Sequence, residues 1–177
     1  SRQDNQDPML EVDASTRLSL VHEINGQVDR LALHDEGGCP YWLGIDLASD
    51  TQHFYFGKLG FNLYAGTAGV SLLKAELHEK EILRPESGKP VSSAHLESIT
   101  RLVEHNDLRL LQKWWSDHPL GLAGAGGAIM SLLELDDLNA DPPLGWSSHR
   151  QLALALLNGL TPDRLREDPY LDILGGV

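Results

Sequence analysis

Glycines packed in front of an apolar run are the first residues in this chain that could do chemistry. Leu63-Tyr64-Ala65-Gly66-Thr67-Ala68-Gly69-Val70-Ser71-Leu72-Leu73 is one such string, and Gly121-Leu122-Ala123-Gly124-Ala125-Gly126-Gly127-Ala128-Ile129-Met130-Ser131-Leu132-Leu133 is a second. Leu171-Asp172-Ile173-Leu174-Gly175-Gly176-Val177 begins a third. A glycine turn ahead of a helix can wrap backbone N–H groups around a phosphate. A phosphate loop, however, also needs a lysine directly after its last glycine, and Lys74 comes too late, well inside the helix-forming run. A dinucleotide fingerprint would need a third glycine where Ile129 stands after Gly124-Ala125-Gly126, and a β-branched strand before it. Both nucleotide readings lack essential parts. The third reading is packing: small residues let a helix start come close to its neighbours and leave bare N–H groups facing whatever fills the centre.

Gly66, Gly124 and Gly175 are spaced by 58 and then 51 positions, which is the mark of a helical repeat array. A purely structural solenoid would satisfy that spacing. The third copy stops where its helix should begin, so the chain is expected to be a piece of a longer protein. Repeated around a ring, the glycine-led helices would form the inner layer of a toroid, with the ordinary helices outside.

Other reactive side chains are sparse. Cys39 is the single cysteine, so it cannot form an internal disulfide or supply a two-cysteine zinc site, and a reducing, cytoplasmic location is expected. The eight histidines fall in none of the glycine strings and read as surface or capping residues. Fourteen basic against twenty-six acidic residues give a net charge of −12, which repels phosphate backbones and anionic headgroups. Nucleic acid and membrane surfaces are therefore not expected partners. No stretch reaches the ~18–20 apolar residues of a membrane span. Ser1-Arg2-Gln3-Asp4-Asn5-Gln6-Asp7-Pro8 has no apolar h-region and reads as a linker or a cut end.

The elements that must position these residues are mostly helices. Hydrophobic residues make up 41% of the chain but aromatics only 6%, and the apolar content is chiefly Leu and Ala. Asp13 or Ser15 can cap a helix running to about Leu33, with Leu18, Val21, Ile24, Val28 and Leu31 forming one buried stripe. Gly37-Gly38-Cys39-Pro40 breaks it, and a short β-hairpin is expected over residues 41–57. The first glycine-led helix continues to about Ile82. Ser92 or Ser93 starts a helix carrying Leu96, Ile99, Leu102 and Val103, and Asn106-Asp107 separates it from one carrying Leu108, Leu110, Leu111, Trp114 and Trp115. The second glycine-led helix runs to about Asp137. Ser147 or Ser148 starts another with Leu152, Leu156, Leu157 and Leu160, and Thr161-Pro162-Asp163 has the form of a short helix start.

Taken together, Trp42-Leu43-Gly44, then Leu59-Gly60-Phe61-Asn62-Leu63-Tyr64-Ala65-Gly66-Thr67-Ala68-Gly69-Val70, resemble the beginning of the cyclase domain of class II lanthipeptide synthetases, the LanM enzymes. Gly121-Leu122-Ala123-Gly124-Ala125-Gly126-Gly127 is similar to that family's second glycine-rich turn, and Asp168-Pro169-Tyr170-Leu171-Asp172-Ile173-Leu174-Gly175-Gly176 to its Asp-x-x-x-Asp string. The resemblance covers roughly residues 15–177, with 1–14 as linker. It implies an all-α fold, a LanC-like (α/α) toroid present here only in its N-terminal part. It implies an enzyme that adds cysteine thiols of a ribosomally made precursor peptide to dehydroalanine or dehydrobutyrine, forming (methyl)lanthionine thioether rings. The resemblance also implies zinc, with two cysteines and a histidine as ligands beyond Val177, and ATP and Mg²⁺ for a separate dehydratase domain. By motif, Asp172 is the acid–base residue. The alternative for Asp172 is a helix cap. Two other readings of the whole chain stand beside the cyclase: a non-catalytic LanC-like module that binds or scaffolds thiol-bearing peptides, and an α/α-barrel carbohydrate enzyme. The latter should carry paired carboxylates where its inner helices begin. The first two glycine strings carry none.

Overall fold

A computed structural model describes residues 13–36, 38, 40–47, 54–64, 66–82, 96–104, 107–143, 145–169 and 173. Contacts divide the chain into two units, Ser1–Leu31 and Ala32–Val177.

The first unit contributes one helix, α1 (Ala14–Arg30). Asp13 is its cap, accepting from the Thr16 amide at 2.9 Å, the Ser15 hydroxyl at 2.7 Å and the Thr16 hydroxyl at 2.8 Å. These donors, the Thr16 amide foremost, hold the Asp13 carboxyl well below the usual carboxylate range. Arg30 in the last turn suits the negative end of the helix dipole. The helix stops short of the expected Leu33, because Leu33–His34 is extended instead. The apolar positions do share one face, yet that stripe is not buried: Leu18, Ile24 and Leu31 are exposed and Val21 and Val28 half-buried. Within its own unit no second described element is present to cover that face.

The second unit opens with two small antiparallel ladders. β1 (Leu33–His34) pairs with β2 (Pro40–Tyr41), placing Leu33 opposite Tyr41 and His34 opposite Pro40. Gly38 turns the chain between them at φ 78°, a left-handed conformation that costs glycine little. β3 (Leu43–Leu47) pairs with β4 (Phe54–Lys58), with Leu43 opposite Lys58 and Ile45 opposite Phe56. The expected hairpin is thus present, shifted slightly toward the C-terminus. Trp42 precedes it, buried, and its carbonyl accepts from the Leu59 amide at 2.8 Å.

Helix dominates the rest of the unit: α2 (Thr67–Glu79), α3 (Glu97–Glu104), α4 (Leu108–Asp117), α5 (Ala125–Asp137), α6 (His149–Leu157) and α7 (Pro162–Arg166). The expected starts at Ser92 or Ser93 lie outside the described residues. Elsewhere Ser148 and Thr161 cap as the sequence predicts, while Asp107, read there only as part of a break, proves to be a cap as well. Asp107 accepts from the Arg109 amide, Ser148 from that of Gln151 and Thr161 from that of Arg164. Each such cap satisfies a first-turn donor that would otherwise be orphaned.

The core lies where these helices meet. Leu96 just ahead of α3, Ile99 of α3, Leu132 and Leu135 of α5, and Leu152 and Leu156 of α6 are among its fully buried large side chains. α5 packs on α6, α2 on α5, α3 on α6 and α3 on α4. The glycine-led helices α2 and α5 lie side by side, as do the ordinary helices α3 and α6. Among the described residues no helix is long and apolar enough to cross a membrane.

Candidate functional site

The two glycine strings build the same device. Gly66 is the N-cap of α2 and Gly124 the N-cap of α5, and neither position offers a side chain to cap with. The chain ahead of each helix curls back instead. The Thr67 amide donates to the Gly60 carbonyl at 2.8 Å, and the Ala125 amide to the Pro119 carbonyl at 2.8 Å. A Cβ on Gly66 would meet the Gly60 carbonyl oxygen at 2.5 Å, and one on Gly124 would run into that of Pro119. Three residues on, a Cβ on Gly69 would strike the Leu63 carbonyl, and one on Gly127 that of Leu122. The glycines at both levels are there for close approach.

This arrangement answers what the N-terminal amides do. In α5 the amides of Ala125, Gly126 and Gly127 donate to the carbonyls of Pro119, Leu120 and Gly121. They are not bare, contrary to the expectation of free N–H groups facing whatever fills the centre, because the chain leading into the helix supplies its own acceptors. A phosphate would have to displace three internal hydrogen bonds. Lys74 lies in mid-helix on α2 and is buried.

The strings also approach one another. The Cβ position of Gly127 is 3.0 Å from the Leu63 side chain, so the first string rests against the helix of the second. The Leu122 amide of the second string donates to the Ile173 carbonyl of the third at 3.0 Å. Asp172, the expected acid–base residue, lies outside the described residues, as do Cys39, Gly175 and Gly176.

Below the second string sits an aromatic and ionic cluster that the sequence reading missed. Phe61 packs on Trp114 and on His118, each at 5.0 Å between ring centres. His118 Nδ1 is 2.8 Å from the Trp114 carbonyl, which can only accept, so Nδ1 carries a proton and donates it there. Arg164 of α7 spans the end of α4, donating from Nε to the Trp115 carbonyl at 2.9 Å and from an Nη to the His118 carbonyl at 3.0 Å. Its other Nη lies 3.5 Å from the Asp168 carboxylate, which is almost fully buried. Asp168 is the first acid of the Asp-x-x-x-Asp string, and its observed partner is this structural arginine. The four-residue spacing of Arg164 and Asp168 was the available signal.

His149 departs from the surface role expected of the histidines. It follows the Ser148 cap on α6, yet it is 1% exposed. Positions 149, 152, 153 and 156 form one helical stripe, so the imidazole shares the buried face of Leu152, Ala153 and Leu156. Desolvation lowers its pKa below 6.5, with Asp136 and Asp141 pulling the other way.

Among the described residues no three His, Cys, Asp or Glu side chains gather in a way that could hold a metal ion. No protein-family model, curated protein or solved structure matches the chain.

Proposed function

We propose that the chain is the N-terminal part of a LanC-like cyclase domain from a cytoplasmic class II lanthipeptide synthetase, acting on a ribosomally made precursor peptide. The observation that supports the fold behind this reading is the shared geometry of the two glycine strings, and the function rests on the motif resemblance. Each caps a helix with a glycine pressed on its own lead-in loop, and the helices they start lie side by side. An (α/α) toroid needs that arrangement, with one row of equivalent helices inside and another outside, and α2–α5 and α3–α6 would be the beginnings of the two rows. In this reading an open apolar groove of about 280 Å³ beside α5, lined by Met130, Leu133, Leu157 and Leu165 among others, receives the next inner helix.

The reaction joins a peptide cysteine to a dehydrated residue. The thiolate sulfur bonds to the β-carbon of the dehydroamino acid, the π electrons move to form an enolate, and the α-carbon then takes a proton. In the resembled family a zinc ion supplies the thiolate, with ligands expected beyond Val177. Asp172 is the residue this chain would contribute, as the acid–base partner for the enolate. Asp168 would hold the same string in place through Arg164.

The test is Asp172→Asn in the full-length enzyme with its precursor peptide. Mass spectrometry follows loss of water from Ser and Thr, and thiol alkylation counts cysteines not yet in rings. Dehydration should proceed while free thiols persist, because Asn cannot transfer the proton. Ring formation at the wild-type rate would reduce Asp172 to a helix cap.

A further inference from the structure

The buried imidazole of His149 has no part in that chemistry, and its surroundings make it a poor place for a charge. Nε2 is buried and finds no hydrogen-bond partner among the described residues. The ring stands in the first turn of α6, where the helix dipole disfavours a cation. The groups that face it are acidic but already engaged. Asp136, near the end of α5, accepts from the Arg150 amide at 3.1 Å through one oxygen and from the Arg150 guanidinium at 3.2 Å through the other. Arg150 also reaches Asp137 at 3.2 Å. Asp141, on the loop between the helices, is exposed. α3 packs on α6 too, but its described charged side chains, Arg101 and Glu104, are exposed.

We propose that the joint between α5 and α6 is an acid-sensitive latch, held shut by the uncharged imidazole of His149 and released when that ring takes a proton. A protonated ring would need an acceptor at Nε2 and solvent around it, and among the described residues the closed joint offers neither. The first turn of α6 therefore has to part from α5 to admit water. Arg150 bonded to Asp136 ties the same turn of α6 to α5, so that pair has to break as the joint opens. Because the folded ring binds its proton less readily than an unfolded one, stability is fully present above pH 6.5 and declines as pH falls through the window below it. Asp136 does not titrate in that window, as the Arg150 amide and guanidinium hold its carboxyl below 3.8.

The experiment is hydrogen exchange of the α6 amides in the full chain from pH 5 to 7.5, for wild type and His149→Gln, which is similar in size and cannot be protonated. After correction for intrinsic exchange, the wild-type opening constant should rise about tenfold per pH unit as pH falls within the window, one proton being taken up on opening. His149→Gln should lose that rise, whatever its absolute stability. Equal pH dependence in the two proteins would overturn the latch. Should the variant fail to fold, the assigned His149 ring resonances of the wild type decide by themselves: a midpoint below 6.5 supports the latch, and one at or above 6.5 overturns it.

Discussion

Glycine-to-alanine substitution should have opposite signs in α1 and α5. In Gly127→Ala the new methyl would meet the Leu122 carbonyl oxygen, the Leu122 carbonyl carbon at 2.8 Å and the Leu63 Cβ at 3.0 Å. Two of those three are backbone atoms, so relief requires the lead-in loop itself to move. Alanine gains about 1 kcal/mol over glycine in a helix interior, while overpacking against rigid neighbours costs about 1–3 kcal/mol. With backbone in the way the upper end applies, and the expected net loss is about 1–2 kcal/mol. In Gly26→Ala the nearest atom is the Arg30 guanidinium at 3.4 Å, the far end of a flexible chain. Only the propensity gain remains, so α1 should be stabilised by roughly 0.5–1 kcal/mol. Trp42, Trp114, Trp115 and Trp146 all belong to the unit Ala32–Val177. Urea unfolding followed by tryptophan fluorescence therefore reads the effect at Gly127, and hydrogen exchange of α1 amides reads that at Gly26. Gly127→Ala as stable as wild type, with an unchanged denaturant slope, would refute the close-approach argument for both glycine strings.

Three further outcomes are expected. Trp115→Phe removes the buried Nε1 donor 2.8 Å from the Leu156 carbonyl while keeping an aromatic ring, and urea unfolding should show a loss of about 1–3 kcal/mol. Arg164→Met takes the cation from a buried carboxylate and should destabilise by about 3–5 kcal/mol, and Arg164→Lys should rescue little because an ammonium cannot reproduce the fork to the Trp115 and His118 carbonyls. For α1, helicity should hold above pH 3.8, the ordinary value for Asp13, and fall as pH drops through its lowered folded-state value, with Asp13→Asn flattening that dependence in circular dichroism.

Helix starts were legible in the sequence because capping is local. Asp13, Ser148 and Thr161 each accept from an amide three residues onward, so type and spacing suffice, and Asp107, read only as a break, caps by the same local rule. What lies over a face is not local. The α1 pattern picks out the correct stripe, but no periodicity says that Leu18, Ile24 and Leu31 are exposed. The same limit works in reverse at His149, whose type suggested a surface residue although its spacing to Leu152, Ala153 and Leu156 marked the buried face. β1 escaped because two residues carry no alternation to detect, and Arg164–Asp168 because polar residues around a one-turn helix resemble a solvated surface.

The candidate site was legible as a position and misread as a surface. The strings do begin helices, as their composition requires, but the bare N–H groups that make such a start attractive to a ligand are consumed in α5 by the carbonyls of Pro119, Leu120 and Gly121. Glycine here permits a loop to fold onto its own helix, which is a different use from opening a cradle for phosphate. A ligand or substrate at this end of the unit must therefore be met by side chains, and the first two strings carry no acid among their glycines. In the proposed cyclase reading Asp172, one residue before Ile173 in the sequence, would carry the acid–base role. The Asp172→Asn experiment is thus the sharpest test of the cyclase reading: glycine geometry alone would be satisfied by any helical repeat, whereas selective loss of ring closure would not.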